Sequence, residues 1–115
     1  MLNKYVIGID VGGTHTRIGQ ISASGEVLKN QMLKTADYGN ATTFLEHLIG
    51  VIKTIISDDT EGFLGIGMGA PSVNEQNQTI TYAANLNWDG SLDIIQILSQ
   101  AFSVPVKLTN DANLL

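Results

Sequence analysis

A mixed α/β domain built on one central sheet is the fold this sequence predicts, and three patterns predict it. Three short strand-like runs follow one another near the start with only turns between them. Two amphipathic helical stripes come next, and each leads into a further strand-like run. A meander followed by helix-linked strands needs both antiparallel and right-handed parallel connections, hence a mixed sheet with helices on its faces.

The run Tyr5-Val6-Ile7-Gly8-Ile9-Asp10 is short, apolar and β-branched, and Asp-x-Gly-Gly closes it, so it reads as a buried strand ending in a turn. From Thr16 to Ile21 polar and apolar residues alternate, Ser22 to Gly25 supplies turn chemistry, and Glu26 to Leu33 resumes as a strand. Asn40 can cap a helix, and Thr43-x-x-Glu46 offers a second start. Phe44, Leu45, Leu48, Ile49, Ile52, Ile55 and Ile56 then recur at helical spacing, with Glu46, His47, Gly50, Lys53 and Ser57 on the other face. Polar turn residues from Ser57 to Gly62 stop this helix, and Phe63 to Gly69 makes a strand dense in glycine. Pro71 to Gln78 is loop-like, and Thr79 to Tyr82 suits a short strand. Ser91 caps a second helix whose Leu92, Ile94, Ile95, Leu98, Ala101 and Phe102 share a face; Pro105 ends it, and Val106 to Thr109 is the last strand. Asn110 or Asp111 would cap a third helix, which is too short as it stands to bury a face, so the sequence reads as part of a longer protein.

Bulk composition narrows the function classes. With 115 residues, 43% hydrophobic and 15% charged, the chain suits one globular core. The net charge is −5 and the six basic residues are scattered, so no stretch could track a nucleic-acid backbone. A phosphate-bearing ligand would have to be held by backbone N–H groups, a metal ion or residues elsewhere. The lack of cysteine removes thiol chemistry and fits a reducing, cytoplasmic setting. No apolar run approaches bilayer length and the start has no secretory h-region, so no membrane partner is expected.

Three constellations could carry chemistry. Asp10-Val11-Gly12-Gly13-Thr14-His15-Thr16 sits where a buried strand turns back on itself. Adjacent glycines let backbone N–H groups approach an anion, the Thr14 and Thr16 hydroxyls can donate to phosphate oxygens, and Asp10 can hold Mg²⁺ directly or through water. The two commoner phosphate loops open a helix instead, and a plain glycine hairpin would use the same residues. Gly65-Ile66-Gly67-Met68-Gly69-Ala70-Pro71-Ser72 puts glycines on alternate positions of a strand, as close approach of a ligand or simply of another backbone would require. Asn110-Asp111-Ala112-Asn113 lies where a strand passes into a helix; Asp111 there could take a proton from a hydroxyl nucleophile, or merely cap the helix. His15 and His47 stand on separate elements and read as solvent-facing rather than as metal ligands.

In order and spacing, Asp-x-Gly-Gly-Thr, then Gly-x-Gly-x-Pro, then the Asn85-Leu86-Asn87-Trp88 loop, then Asn-Asp-Ala-Asn resemble the ROK family over almost the whole chain. The resemblance implies a ribonuclease-H-like, actin-like ATPase lobe, residues 1–115 being the amino-terminal phosphate- and sugar-binding lobe of a two-lobe, glucokinase-like kinase. It implies that Asp10, Gly12, Gly13, Thr14 and Thr16 serve ATP and its Mg²⁺, that Asp111 is the catalytic base, and that Gly69, Asn85, Asn110 and Asp111 meet the sugar. The reaction implied moves the ATP γ-phosphoryl group to a hexose hydroxyl, the 6-hydroxyl of glucose or a related sugar, in a cytoplasmic enzyme that is dimeric when full length. Ser72 departs from the glycine the family commonly has after the proline. The family's zinc site and adenosine pocket belong to a second lobe, so residues 1–115 alone are expected to be inactive. Two rivals are a sugar-responsive ROK-type regulator and another ATPase of the actin-like fold. Against the regulator, four residues ahead of the first strand leave no space for a DNA-binding helix-turn-helix. Asn110-Asp111-Ala112-Asn113 and the Asn85-to-Trp88 loop favour the sugar kinase over the second.

Overall fold

The structure is a computed structural model that describes residues 4–12, 14–56, 60–69, 73–74, 79–80 and 94–109. The described residues form seven strands: β1 (Tyr5–Val11), β2 (His15–Ser22), β3 (Val27–Lys34), β4 (Phe63–Gly69), β5 (Val73–Asn74), β6 (Thr79–Ile80) and β7 (Val106–Thr109). Two helices, α1 (Ala41–Ile56) and α2 (Ile94–Phe102), and a 3₁₀ turn at Thr35–Asp37 join them. The main sheet has the order β3-β2-β1-β4-β7, and β5 and β6 form a separate antiparallel pair. β1 and β2 pair antiparallel, as do β2 and β3; β4 runs parallel to β1 and β7 parallel to β4. This is the mixed α/β sheet that the meander and the two helical stripes predicted.

Both helix connections, β3 to β4 and β4 to β7, advance in the same direction across the sheet. Right-handed crossovers therefore deliver α1 and α2 to one face. There Tyr5, Ile7, Ile9, Ile18, Ile66, Met68 and Leu108 bury themselves against Phe44, Leu48, Ile52 and Ile55 of α1 and Ile94 and Leu98 of α2. Alternate residues of β1 and β4 serve this core, as the pleat dictates, whereas β3 is exposed along most of its length. Among the described residues both helices occupy this face. On the opposite face the register aligns Gly19, Gly8 and Gly67 across three neighbouring strands.

Local chemistry explains the joints. In the β2–β3 hairpin, Gly25 N–H donates to Ser22 O at 2.9 Å and Ser22 N–H to Glu26 O at 2.8 Å, with Gly25 at φ 91°. That three-residue loop needs a left-handed residue in its last position, which glycine supplies. Asn40 is the cap of α1: its Oδ1 accepts from Thr43 N–H at 2.8 Å. Thr43-x-x-Glu46, the alternative start, lies inside the helix. At the other end, Lys29 Nζ donates to Ile55 O at 3.3 Å, a cation on a carbonyl of the last turn. After α2, Ser103 takes φ 56° and donates its N–H to Ser99 O at 2.7 Å, and Pro105 prevents the helix from resuming.

The cap yields a direct check. Asn40→Ala should destabilise the chain by about 1 kcal/mol in urea unfolding, and Asn40→Asp should recover most of it. Equal stability of the alanine variant would mean that α1 does not depend on this oxygen.

No helix among the described residues is long and apolar enough to cross a membrane.

Candidate active site

Parallel strands present their carboxyl ends on the same edge of a sheet, and β1, β4 and β7 do so here. Asp10 of β1 pairs in register with Gly69 of β4, and Gly69 with Thr109 of β7. β3 runs parallel to β1 as well, so Thr35, the residue after Lys34, comes to this edge too. The strand ends that lead into all three sequence constellations thus stand side by side. Such an edge, outside the carboxyl ends of parallel strands, is where open α/β sheets place their ligands.

The hairpin between β1 and β2 is closed by Gly12 N–H donating to His15 O at 2.9 Å. A Cβ on Gly12 would stand 2.8 Å from that same carbonyl oxygen, so the tight turn itself demands glycine at this position. Thr14 is exposed at the tip, and Asp10 is half-buried three residues before Gly13. Asp10 offers hard carboxylate oxygens, and Mg²⁺ is commonly held by only one or two carboxylates while keeping several waters, so the donor set fits that ion.

Thr16 differs from its neighbours. It is completely buried on the helix side of the sheet, and its Oγ1 lies 2.6 Å from Thr35 Oγ1. Its hydroxyl is therefore engaged inside the core beneath the hairpin, while the Thr14 hydroxyl is open to solvent.

Gly69 is buried at the end of β4. The alternating glycines of that strand separate into two groups. Gly65 lies where the β1–β4 register shifts, and a Cβ there would come within 3.1 Å of Pro105 O, so close approach of another backbone accounts for it. Gly67 and Gly69 pair with Gly8 and Asp10 on the face away from the helices. Gly13, Asn85, Asn110 and Asp111, together with Ser72 and Trp88, lie outside the described residues.

Two residues at this edge were not singled out from the sequence. Arg17 is exposed and directly opposite Asp10 in the β1–β2 register, so it brings a positive charge to the edge that the scattered basic residues hid. Strand pairing alone reveals it: once Val11 faces Thr16 across the hairpin, Asp10 must face Arg17. Thr35 had no local signal, since its partner is nineteen residues away. A cleft of about 550 Å³ bounded by Lys53, Ile56, Phe63, Phe102 and Val104 lies at the other edge, where β4 and β7 begin, and none of the motif residues borders it.

The model of the ROK family matches residues 6–115. The xylose repressor of Caldicellulosiruptor bescii is 30% identical over 112 residues, covering 94% of this chain and 28% of that protein. The glucokinase of Halalkalibacterium halodurans is 25% identical over 118 residues, covering 99% of this chain and 36% of that protein. A ROK family glucokinase from Streptomyces griseus, solved in complex with glucose and AMPPNP, superposes with a TM-score of 0.70 at 27% identity, over 95% of this chain and 34% of its own. The chain thus spans about a third of the length of the relatives it matches. The likeness carries the actin-like ATPase fold.

Proposed function

The chain belongs to the ROK family, and from that premise we propose that it is the amino-terminal, phosphate- and sugar-binding lobe of a two-lobe, ATP-dependent hexose kinase. The observation that carries the reading is the alignment of Asp10, Gly69 and Thr109 at one edge of the sheet. Neighbouring strands stand about 4.8 Å apart, so Asp10 and Thr109 are separated by about 10 Å of backbone. Asp111 follows Thr109 by two residues, which chain length limits to about 7 Å. A phosphate-binding hairpin and a proton-accepting carboxylate on such an edge can serve one transferred group. The glucokinase relatives support the same reading.

In this mechanism the backbone N–H groups at the tip of the hairpin, beyond the Gly12 N–H that closes it, and the Thr14 hydroxyl hold the phosphates of ATP, and Arg17 adds positive charge beside them. Asp10 would hold Mg²⁺, and the bound ion would supply neutralising charge to the phosphate oxygens. Asn110, Asn85 and Gly69 orient the sugar. Asp111 accepts the proton of the attacking hydroxyl. An ordinary carboxylate is a weak base, so it takes that proton late, and alignment of the hydroxyl is its larger contribution. Phosphoryl transfer of this kind depends chiefly on positioning and charge stabilisation. Thr16 supports the hairpin from beneath.

The xylose repressor relatives favour a second reading, a sugar-responsive regulator. One assay separates the two. The complete protein is incubated with Mg·ATP and a panel of hexoses, and ADP and sugar phosphate are measured. Sugar-dependent turnover is expected, with glucose the first candidate. Sugar binding without any phosphoryl transfer, joined to sugar-dependent DNA binding, would replace the kinase with the regulator.

A further inference from the structure

We infer that Thr35, through its hydrogen bond to Thr16, is the positioning residue that sets the phosphate-binding hairpin, an inference that rests on the kinase reading. Both side chains are enclosed, at 0% and 1% exposure, and their hydroxyl oxygens lie 2.6 Å apart. That is the distance of a well-formed O–H···O bond. At such burial each hydroxyl depends on the other, because an orphaned one would lose its hydration for nothing.

Position gives the pair its meaning. Val11 with Thr16 is the last β1–β2 pair before the turn, and Thr16 is two residues from the exposed Thr14. On its other side Thr16 faces Leu33, and Thr35 is the next residue of that chain segment on the same side. The bond therefore runs diagonally from the root of the hairpin to the point where β3 passes into its 3₁₀ turn. Tyr38 N–H donates to Thr35 O at 3.2 Å, which holds that turn in its own right.

The flanking core residues Val11 and Leu33 are apolar, and an apolar pair would fill the same space. Hydrophobic contact is non-directional, whereas a hydrogen bond fixes both partners in angle as well as distance. A directional tie at the root of a turn holds the backbone N–H groups two residues further on. Those groups are the phosphate ligands of the proposed kinase, and they contact nucleotide alike in the ground state and the transition state. Loosening them should therefore weaken nucleotide binding more than the chemical step.

The test uses the complete protein and four forms: wild type, Thr35→Ser, Thr35→Val, and Thr16→Val with Thr35→Val. Three quantities are measured: affinity for a non-hydrolysable Mg·ATP analogue, KM for ATP and for the sugar, and melting temperature. Thr35→Val should weaken analogue binding and raise KM for ATP about tenfold, with KM for the sugar within about twofold of wild type. Thr35→Ser, which keeps the hydroxyl, should stay near wild type. The double variant removes both polar groups and should regain much of the melting temperature without regaining nucleotide affinity. Wild-type analogue affinity in folded Thr35→Val would overturn the inference. Should that variant fail to fold, wild-type affinity in the double variant would do the same. The kinase reading is decided separately: a wild-type protein that binds the analogue yet phosphorylates no hexose ends that reading, while the titrations still decide what Thr35 does.

Discussion

Asp111→Ala in the complete protein is expected to lower kcat about a thousandfold, the middle of the range for a positioned general base, while leaving sugar affinity within a few-fold. The expectation follows from the edge that β1, β4 and β7 share. Asp111 follows Thr109, the last residue of β7, by two positions in the sequence, and the register sets Thr109 beside Gly69 and Gly69 beside Asp10. In the proposed mechanism a carboxylate there would meet the hydroxyl as its bond to phosphorus forms, so its loss would act on the transition state rather than on ground-state binding. Steady-state kinetics with saturating sugar and varied ATP make the measurement. Turnover by the alanine variant within tenfold of wild type would remove Asp111 from proton transfer and leave the Asn-Asp-Ala-Asn segment as a helix cap.

Gly12→Val should have the second largest effect. The added Cβ would stand 2.8 Å from the His15 carbonyl oxygen, and backbone of the same turn cannot swing aside as a long side chain would. The same two residues share the hydrogen bond that closes the hairpin, 2.9 Å from Gly12 N to His15 O. Relieving the contact stretches that bond and displaces the tip. Overpacking of this kind costs about 1–3 kcal/mol of stability. A displacement of about 1 Å at a phosphate ligand can cost about a hundredfold in kcat/KM for ATP. Gly50→Ala is the natural control, since Gly50 is an exposed residue of α1 with open space where its Cβ would go. It should raise stability by about 0.5–1 kcal/mol and leave ATP kinetics alone. Equal loss from both substitutions would mean that the hairpin has no special sensitivity.

How far the sequence could be read depended on whether the information was local. β4 occupies Phe63–Gly69, the span its glycine-dense run predicted, and α1 begins where Asn40 said it would. Both follow from residues within a few positions of one another. Ala101 was grouped with the buried stripe of α2 yet is exposed, whereas Ile97 is half-buried against the core. A nine-residue helix has so few apolar positions that small rotations reassign its face, and only the neighbours that it packs on decide. Gly65 read as part of a row approached by a ligand or by another backbone, and the backbone carbonyl that decides it belongs to Pro105, forty positions away. The Thr16–Thr35 pair was illegible for the same reason. A threonine at a strand end looks identical whether its hydroxyl meets phosphate, water or another hydroxyl, and the answer depends on a partner from a different strand. Motif order located the edge of the sheet; register was needed to say which side chains turn towards it.

The sheet has a second edge, where Tyr5 stacks on Phe63 with ring centres 5.6 Å apart and Phe102 meets Phe63 edge-on at 5.9 Å. β4 is seven residues long, so this aromatic cluster stands about 20 Å from Gly69. The proposed site and this aromatic cluster therefore stand at opposite ends of the same strands. Engineering at Phe63, Phe102 or the cleft beside them could retune the melting behaviour of the lobe while the reacting groups keep their places.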